Sequence, residues 1–200
     1  ILTVTCNKQI THERIENFIQ QHSLKILKKI NERSTSVPLY NQTEMDIFGV
    51  TYQILHQLNC PKNRFQINEN FIDICFKRDH FDNQYVESIY KKLLIEKMEE
   101  ILKRISPDIS KHFNLDGIVL KAQLMKSRYG SCQPKDKIIK LNTILARFPE
   151  MYTEVILVHE LIHLKVHNHQ QEFYQYMNLL IPEYRQYKKE LNQLSRKYVI

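Results

Sequence analysis

Residues 159 to 163 carry the side chains whose types and spacing could do chemistry. His159 and His163 stand four positions apart in the segment HELIH, within a stretch whose apolar pattern predicts an amphipathic helix. Helical spacing of four residues puts the two imidazoles a turn apart on one face, where both could bind a single metal ion. Glu160 could then act as general base on a water molecule at that ion, which is the chemistry of metal-assisted hydrolysis.

A catalytic zinc ion needs a third protein ligand and an open position for water, and two further histidines compete for this role. His167 continues the four-residue spacing, but on a straight helix it would lie about 12 Å along the axis from His159, too far for one ion. His169 could reach the ion if the chain leaves the helix after His163 and folds back. Asn168 tolerates left-handed backbone geometry and offers a place for that turn. We therefore expect His169 to be the third ligand.

The chain before this segment contains one plausible internal boundary. A strand is predicted at residues 2 to 6, and Thr11 could cap a charged helix that runs to about Arg33. A turn-like stretch after this helix separates it from short strand-like segments. We therefore divide the chain into an N-terminal strand and helix, residues 1–36, and a main domain, residues 37–200.

The main domain is predicted to mix short strands with helices. The strands are expected at 52–54, 71–76, 117–125 and 137–142, and the helices at 83–105, from about 149, at 170–180 and after Pro182.

This order predicts an α+β fold. A small mixed sheet would pack on the long helix of 83–105, which Ser106 and Pro107 should end, and on the helix that carries the histidines. We expect residues 127–132 to form a turn. The strand of 137–142 should be the edge strand that lines the cleft, with C-terminal helices behind and the metal between the active-site helix and this edge.

Composition limits the setting and the partners of the protein. No apolar run of eighteen residues and no signal-peptide pattern occurs, which predicts a soluble, cytoplasmic protein without a membrane partner. The four cysteines form no C-x-x-C pair, which argues against a cysteine-based zinc knuckle. The net charge of +7 is spread along the chain, so a nucleic-acid partner stays open but is not indicated. Nothing in the sequence predicts the oligomeric state.

Residues 126 to 184 resemble the YgjP-like metallopeptidase domain family, which is related to the SprT-like and other zincin peptidases. The resemblance rests on the order and spacing of RYGSC at 128–132, LN at 141–142, Leu145, Pro149, VHELxHL at 158–164, NH at 168–169, Phe173 and PxY at 182–184. It implies a zincin-like α+β fold, a zinc ion and a peptide or protein substrate. It also implies three zinc ligands, His159, His163 and His169. The same resemblance makes Glu160 the catalytic acid and base.

Two residues outside the histidine segment are candidates for substrate binding, Arg128 and Asn142. Arg128 could reach a carboxylate either of a neighbouring helix or of a substrate. We favour the first, which would be a structural ion pair. Cys132, in the same segment, is expected to be a small packed thiol and not a nucleophile.

Three functions compete at this point, and we favour a zinc metallopeptidase. The alternative is a metal-dependent nucleoside triphosphate hydrolase, which the basic residues Lys126 and Arg128 near the presumed cleft suggest. No G-x-x-x-x-G-K phosphate loop supports it, and nucleotide enzymes more often hold magnesium through carboxylates. A nucleic-acid adaptor with a structural metal would need a closed site of four ligands, and no fourth His or Cys lies at suitable spacing.

Overall fold

A computed structural model of the protein describes residues 10–34 and 40–198. Its first element is the helix α1, His12–Ser34, which confirms the helix predicted after Thr11. Phe18 on α1 is 56% exposed. The strand predicted at residues 2 to 6 lies outside the described residues.

Four strands after α1 form a mixed sheet with the order β1-β2-β4-β3, in which β2 and β4 are parallel and the other two pairs are antiparallel. These strands are β1 (Glu44–Ile47), β2 (Val50–Gln57), β3 (Arg64–Ile67) and β4 (Phe71–Cys75). The strands predicted at 52–54 and 71–76 are confirmed as parts of β2 and β4. Alternating residues of β4, Ile72 and Ile74, are buried, so one face of this sheet covers the core.

A tight turn between β1 and β2 docks this sheet onto the part of the chain that leads to the histidines. Phe48 and Gly49 both have positive φ, of 46° and 85°, as a two-residue hairpin turn of type I′ requires. The Phe48 N–H donates to the carbonyl of Ala146 at 2.8 Å, and the Gly49 N–H donates to that of Arg147 at 3.2 Å. The hairpin therefore supports the segment just before the active-site helix.

The long helix α2, Asn83–Ile109, begins at Asp82, whose carboxylate accepts hydrogen bonds from backbone N–H groups of its first turn. The prediction that Ser106 and Pro107 end this helix is wrong. Proline lacks the N–H that would donate to the carbonyl of Lys103. The Ser106 hydroxyl donates to that carbonyl instead, at 3.0 Å, and the helix continues through its last turn.

Three further strands form a second mixed sheet with the order β5-β7-β6, so the described residues form two small sheets where one was predicted. They are β5 (Val119–Gln123), β6 (Gly130–Gln133) and β7 (Ile138–Asn142). Two further predictions are wrong. The segment 127–132 is not only a turn, since its second half enters β6 and pairs with β7. The strand predicted at 137–142 lies in the centre of the sheet, and β6 is at the edge, because β7 also pairs with β5.

The rest of the chain is helical, and all three predicted helices are confirmed. A 3₁₀ turn at Thr143–Arg147 leads into α3 (Glu150–Ile162), α4 (Gln171–Leu180) and α5 (Tyr184–Ser195). Helix α3 packs against α2, β6, β7, α4 and α5, and nearly all of its residues are buried. The fold is therefore α+β, with α3 at its centre. Among the described residues, no helix combines the length and the apolar character needed to cross a bilayer.

Candidate metal centre

The three predicted ligands meet at the end of α3. His159 lies in the last turn of this helix, His163 is the residue that ends it, and His169 follows in the loop before α4. The Nε2 atom of His169 is 3.1 Å from Nε2 of His159 and 3.1 Å from Nε2 of His163. Among the described residues these three form the cluster in which three ligand atoms come close enough to share one ion.

The loop after α3 brings His169 back by a different turn from the one predicted. Asn168 is not among the non-glycine residues with positive φ, so it does not use the left-handed geometry we expected. Its side-chain Oδ1 instead accepts a hydrogen bond from the Gln170 N–H at 3.2 Å, which closes a small turn around His169. His167 is exposed, and its Nδ1 lies 3.3 Å from the carbonyl of His163, outside the cluster.

The hydrogen bond of His163 prepares its ring for a cation. Nδ1 of His163 lies 2.8 Å from the carbonyl oxygen of Val166. A carbonyl can only accept, so this Nδ1 carries the hydrogen and the Nε2 lone pair of the neutral ring faces the cluster. Nδ1 of His159 lies 2.9 Å from the hydroxyl of Tyr184.

The spacing of the nitrogens is compatible with a shared metal ion. Bonds of about 2.0 to 2.1 Å in a tetrahedral zinc site separate two ligand nitrogens by about 3.3 Å, close to the separations seen here. Burial, and after it the nearby Lys188 charge, lower the pKa of His159 to about 3, so this ring is neutral and keeps a lone pair. Burial also lowers the pKa of His169.

A buried phenylalanine holds the three rings in place from one side. The centroid of the Phe173 ring lies 4.8 Å from that of His159, 5.0 Å from that of His163 and 4.6 Å from that of His169. Phe173 is fully buried at the start of α4. The sequence favoured core packing for Phe173, and the structure shows in addition that it packs directly on the candidate ligands.

Glu160 lies beside the cluster, between α3 and the edge strand β6. Its side chain is only 6% exposed, and burial raises its pKa to about 7, while the charges of Arg128 and Lys188 act in the opposite direction. A carboxyl group with a pKa near neutrality can both accept and return a proton at physiological pH. A Cβ atom at Gly130 would lie 2.6 Å from Oε1 of Glu160, so the lack of a side chain at Gly130 makes room for this carboxylate.

Arg128 and Asn142, predicted as substrate-binding residues, have different surroundings. Arg128 is exposed, and within the described part of the chain it forms no salt bridge, so the structural ion pair that we favoured is not found. Asn142 is 2% exposed; its Nδ2 donates to the carbonyls of Met125 and Arg128, and its Oδ1 accepts from the Ile144 N–H. These contacts hold the loop before β6 and leave Asn142 no surface for a substrate.

Cys132 faces the same carboxylate from β6. Burial, and then the charge of Glu160, raise the pKa of its thiol to about 11, which disfavours the thiolate. This agrees with the expectation that Cys132 is packed and is not a nucleophile.

Two residues that the sequence analysis gave no role complete the surroundings of the cluster, and both lie on α5. Tyr184 contacts His159, and the Lys188 ammonium donates to the Tyr184 hydroxyl at 2.9 Å. Their spacing of four residues puts them on one helical face, but only the packing of α5 against α3 shows which way that face points.

Comparisons with known proteins show what the chain is similar to. No curated protein matches the chain. A solved structure, the metallopeptidase zymogen jannalysin of Methanocaldococcus jannaschii, is 24% identical, with a TM-score of 0.39; the match covers 50% of this chain and 94% of jannalysin. Residues 1–194 match the family described as YgjP-like, metallopeptidase domain, which spans both segments of the predicted division at residue 36. That division stays a prediction, whereas the extent of the match shows that the chain belongs to the YgjP-like metallopeptidase family.

Proposed function

We propose that the protein is a zinc-dependent peptidase of the zincin type, which cleaves peptide bonds in peptides or proteins. One observation carries this proposal: in a chain of a metallopeptidase family, the Nε2 atoms of three histidines converge beside a buried carboxylate. The histidines His159, His163 and His169 would hold the ion, and Glu160 would move the proton. A cytoplasmic location stays a prediction from the sequence.

The donor set favours zinc over the other common catalytic cations. Three neutral imidazoles suit zinc, whereas magnesium and calcium prefer oxygen ligands. When bound, zinc would lower the pKa of a water molecule and polarise the scissile carbonyl.

Glu160 is positioned for the proton transfers of peptide hydrolysis. Its carboxylate would accept a proton from the attacking water and then give that proton to the nitrogen of the leaving amine, so that it ends the cycle as it began. Its burial between α3 and β6 keeps the carboxylate poorly solvated, and this raises its basicity.

The edge strand β6 offers a way to hold an extended substrate. Within the described residues β6 pairs with β7 alone, so the backbone groups along its other side are free of strand partners. A peptide could add to this edge by main-chain hydrogen bonds, close to Glu160.

The other two functions have less support from the structure. A nucleoside triphosphate hydrolase would use carboxylates to hold magnesium, but the described cluster consists of histidines. A structural metal in a nucleic-acid adaptor would need a fourth protein ligand, and the cluster among the described residues supplies three.

Metal analysis and peptide hydrolysis together test the proposal. We expect one zinc ion per chain in the parent protein and in Glu160→Gln, and loss of zinc in His163→Ala. Glu160→Gln should lower kcat on an unfolded protein substrate by at least about a hundredfold, because a general base contributes about 10² to 10⁴ in rate. Glu183→Gln, an exposed glutamate next to α5, is the control and should keep full activity. Equal activity of Glu160→Gln and the parent would refute the assigned role.

A further inference from the structure

Lys188 brings a positive charge close to the candidate metal centre. Its Nζ donates a hydrogen bond to the Tyr184 hydroxyl at 2.9 Å, and that hydroxyl is 2.9 Å from Nδ1 of His159. The ammonium is therefore two hydrogen bonds away from a proposed zinc ligand, on a half-buried side chain.

This position is electrostatically unfavourable for the resting protein. A cation at Lys188 repels any cation bound by the histidines. Lys97, which is also half-buried, has two carboxylate partners: its Nζ lies 2.7 Å from Glu100 and 2.9 Å from Glu150. For Lys188 no salt bridge is found in the described part of the chain.

The Lys188 ammonium also keeps unused hydrogen-bonding capacity. It has three N–H donors, and the contact found for it within the described residues, with Tyr184, uses one. Arg128, whose charge also acts on Glu160, is exposed and likewise has no salt-bridge partner among the described residues. Two cations without a salt-bridge partner there thus lie near one carboxylate and a candidate site for a divalent cation, so positive charge is in excess around Glu160 before substrate binds.

We propose that Lys188 is a specificity-determining residue whose ammonium binds a carboxylate of the peptide substrate. This inference rests on the proposed peptidase function and names its substrate class, peptides that carry a negative charge near the scissile bond. The charge could come from a free C-terminus or from an Asp or Glu side chain, since both present the same carboxylate to the ammonium. Substrate binding would then neutralise the charge that the resting site leaves uncompensated.

Peptide binding to a zinc-loaded Glu160→Gln chain tests this inference without turnover. The probes are four fluorescently labelled pentapeptides of one sequence: the C-terminal acid, its amide, and two amides with Glu or Gln at the same internal position. Lys188→Met in this background removes the ammonium and keeps the apolar stem. Lys189→Met, the exposed neighbour with the same change of charge, is the matched control. Dissociation constants come from fluorescence anisotropy.

We expect at least one carboxylate peptide to bind about tenfold or more tightly than its neutral partner, because a hydrogen bond to a charged group in a shielded site typically contributes that much. Lys188→Met should reduce this difference to less than about twofold, while Lys189→Met should keep it. The acid and amide pair reports a C-terminal carboxylate, and the Glu and Gln pair reports a side-chain carboxylate.

Several results would overturn the inference. These are equal binding of charged and neutral peptides, no measurable binding of any probe at millimolar concentration, or a difference that survives Lys188→Met. An equal loss for charged and neutral probes in Lys188→Met would show that the ammonium acts on the site in general. Zinc-dependent hydrolysis by the parent chain is measured separately, so failure of the specificity and failure of the peptidase function give different results.

Discussion

At the scale of single residues, the site depends on close approaches that few side chains tolerate. The Nε2 atoms of His159, His163 and His169 converge, and the carboxylate of Glu160 fits beside them because Gly130 has no side chain. Catalysis by proton transfer requires that the carboxylate keep its position to within about an ångström. Steric space at Gly130 is therefore as important for the proposed activity as the acid itself.

Gly130→Ala tests this close approach. The new Cβ would lie 2.6 Å from Oε1 and 2.8 Å from Cγ of Glu160, so the carboxylate must move. We expect kcat/KM for peptide hydrolysis to fall by about a hundredfold, the usual effect of misplacing a catalytic group by an ångström. Zinc content should stay at one per chain. Ser131→Ala, the next position of β6, is the control; a fully active Gly130→Ala protein would contradict the steric argument.

The raised pKa of Glu160 predicts how stability depends on pH in metal-free protein. Because burial raises its pKa from 4.5 to about 7, the folded state binds this proton more tightly than the unfolded state does. The resulting contribution to stability is present in full below pH 4.5 and is lost as the pH rises through about 7.

Glu160→Gln removes this pH-dependent contribution and leaves the histidines in place. Relative to the parent, the metal-free variant should therefore gain about 3 kcal/mol in the free energy of unfolding between pH 4.5 and pH 8. Urea unfolding of both chains with a chelator, at half-unit steps of pH, measures the difference. If the difference in the free energy of unfolding between the two chains stays constant across this pH range, the Glu160 carboxyl has an ordinary pKa in the folded chain.

At the scale of elements, a rigid helix supplies two ligands and a short loop supplies the third. Helix α3 is buried along nearly its whole length, so His159 and His163 have little freedom to move. His169 lies in an exposed loop, where the Asn168 side chain and the packing of Phe173 hold the backbone and the ring. The geometry of the third ligand is therefore the weakest part of the site.

Asn168→Ala tests the contribution of this loop to metal binding. The variant loses the hydrogen bond from the Gln170 N–H, which is worth about 0.5 to 1.5 kcal/mol, so zinc affinity should fall by about two- to tenfold. Competition with a fluorescent zinc chelator measures the affinity. His167→Ala removes an adjacent imidazole outside the cluster and should leave the affinity unchanged. A larger effect of His167→Ala than of Asn168→Ala would indicate that the third ligand has been misassigned.

At the scale of the whole molecule, α3 is the centre on which the other layers pack. The long helix α2, the edge of the second sheet and the helices α4 and α5 all contact it. Salt bridges also tie α2 to α3, with Arg104 at 2.9 Å from Glu154. The hairpin turn of the first sheet is hydrogen-bonded to the segment before α3. Ile72 of β4, and Phe76 directly after this strand, are buried in the common core. The site is therefore supported by both sheets, although its side chains all follow residue 128.

Truncation tests the predicted boundary at residue 36. A chain of residues 37–200 should still bind one zinc ion per chain and unfold cooperatively, because no residue of the described site precedes that boundary. A chain of residues 78–200, which lacks the first sheet, should fail both tests, since it loses buried core residues such as Ile72 and Phe76. Metal analysis and thermal unfolding distinguish the chains. Loss of zinc binding by residues 37–200 would place the N-terminal segment within the same folding unit.

The sequence alone determined what depends on local spacing. Helical periodicity located α3, α4 and α5, and the interval between His159 and His163 predicted two ligands on one face, because the rise of a helix is fixed. The same rise per residue was enough to exclude His167 as a ligand of the same ion. A residue before proline normally ends a helix, so α2 was predicted to stop too early; the Ser106 hydroxyl that prevents this is a local detail without a periodic signal.

Only the tertiary structure decided how separate elements face one another. The pairing that makes β6 the edge strand, the approach of Gly130 to Glu160 and the contact of Lys188 with Tyr184 all join elements distant in the sequence. Such contacts depend on the relative placement of helices and sheets, which is set by packing over the whole core and leaves no periodic trace in the chain. The candidate ligands could thus be found from spacing, whereas the environment that controls their chemistry could not.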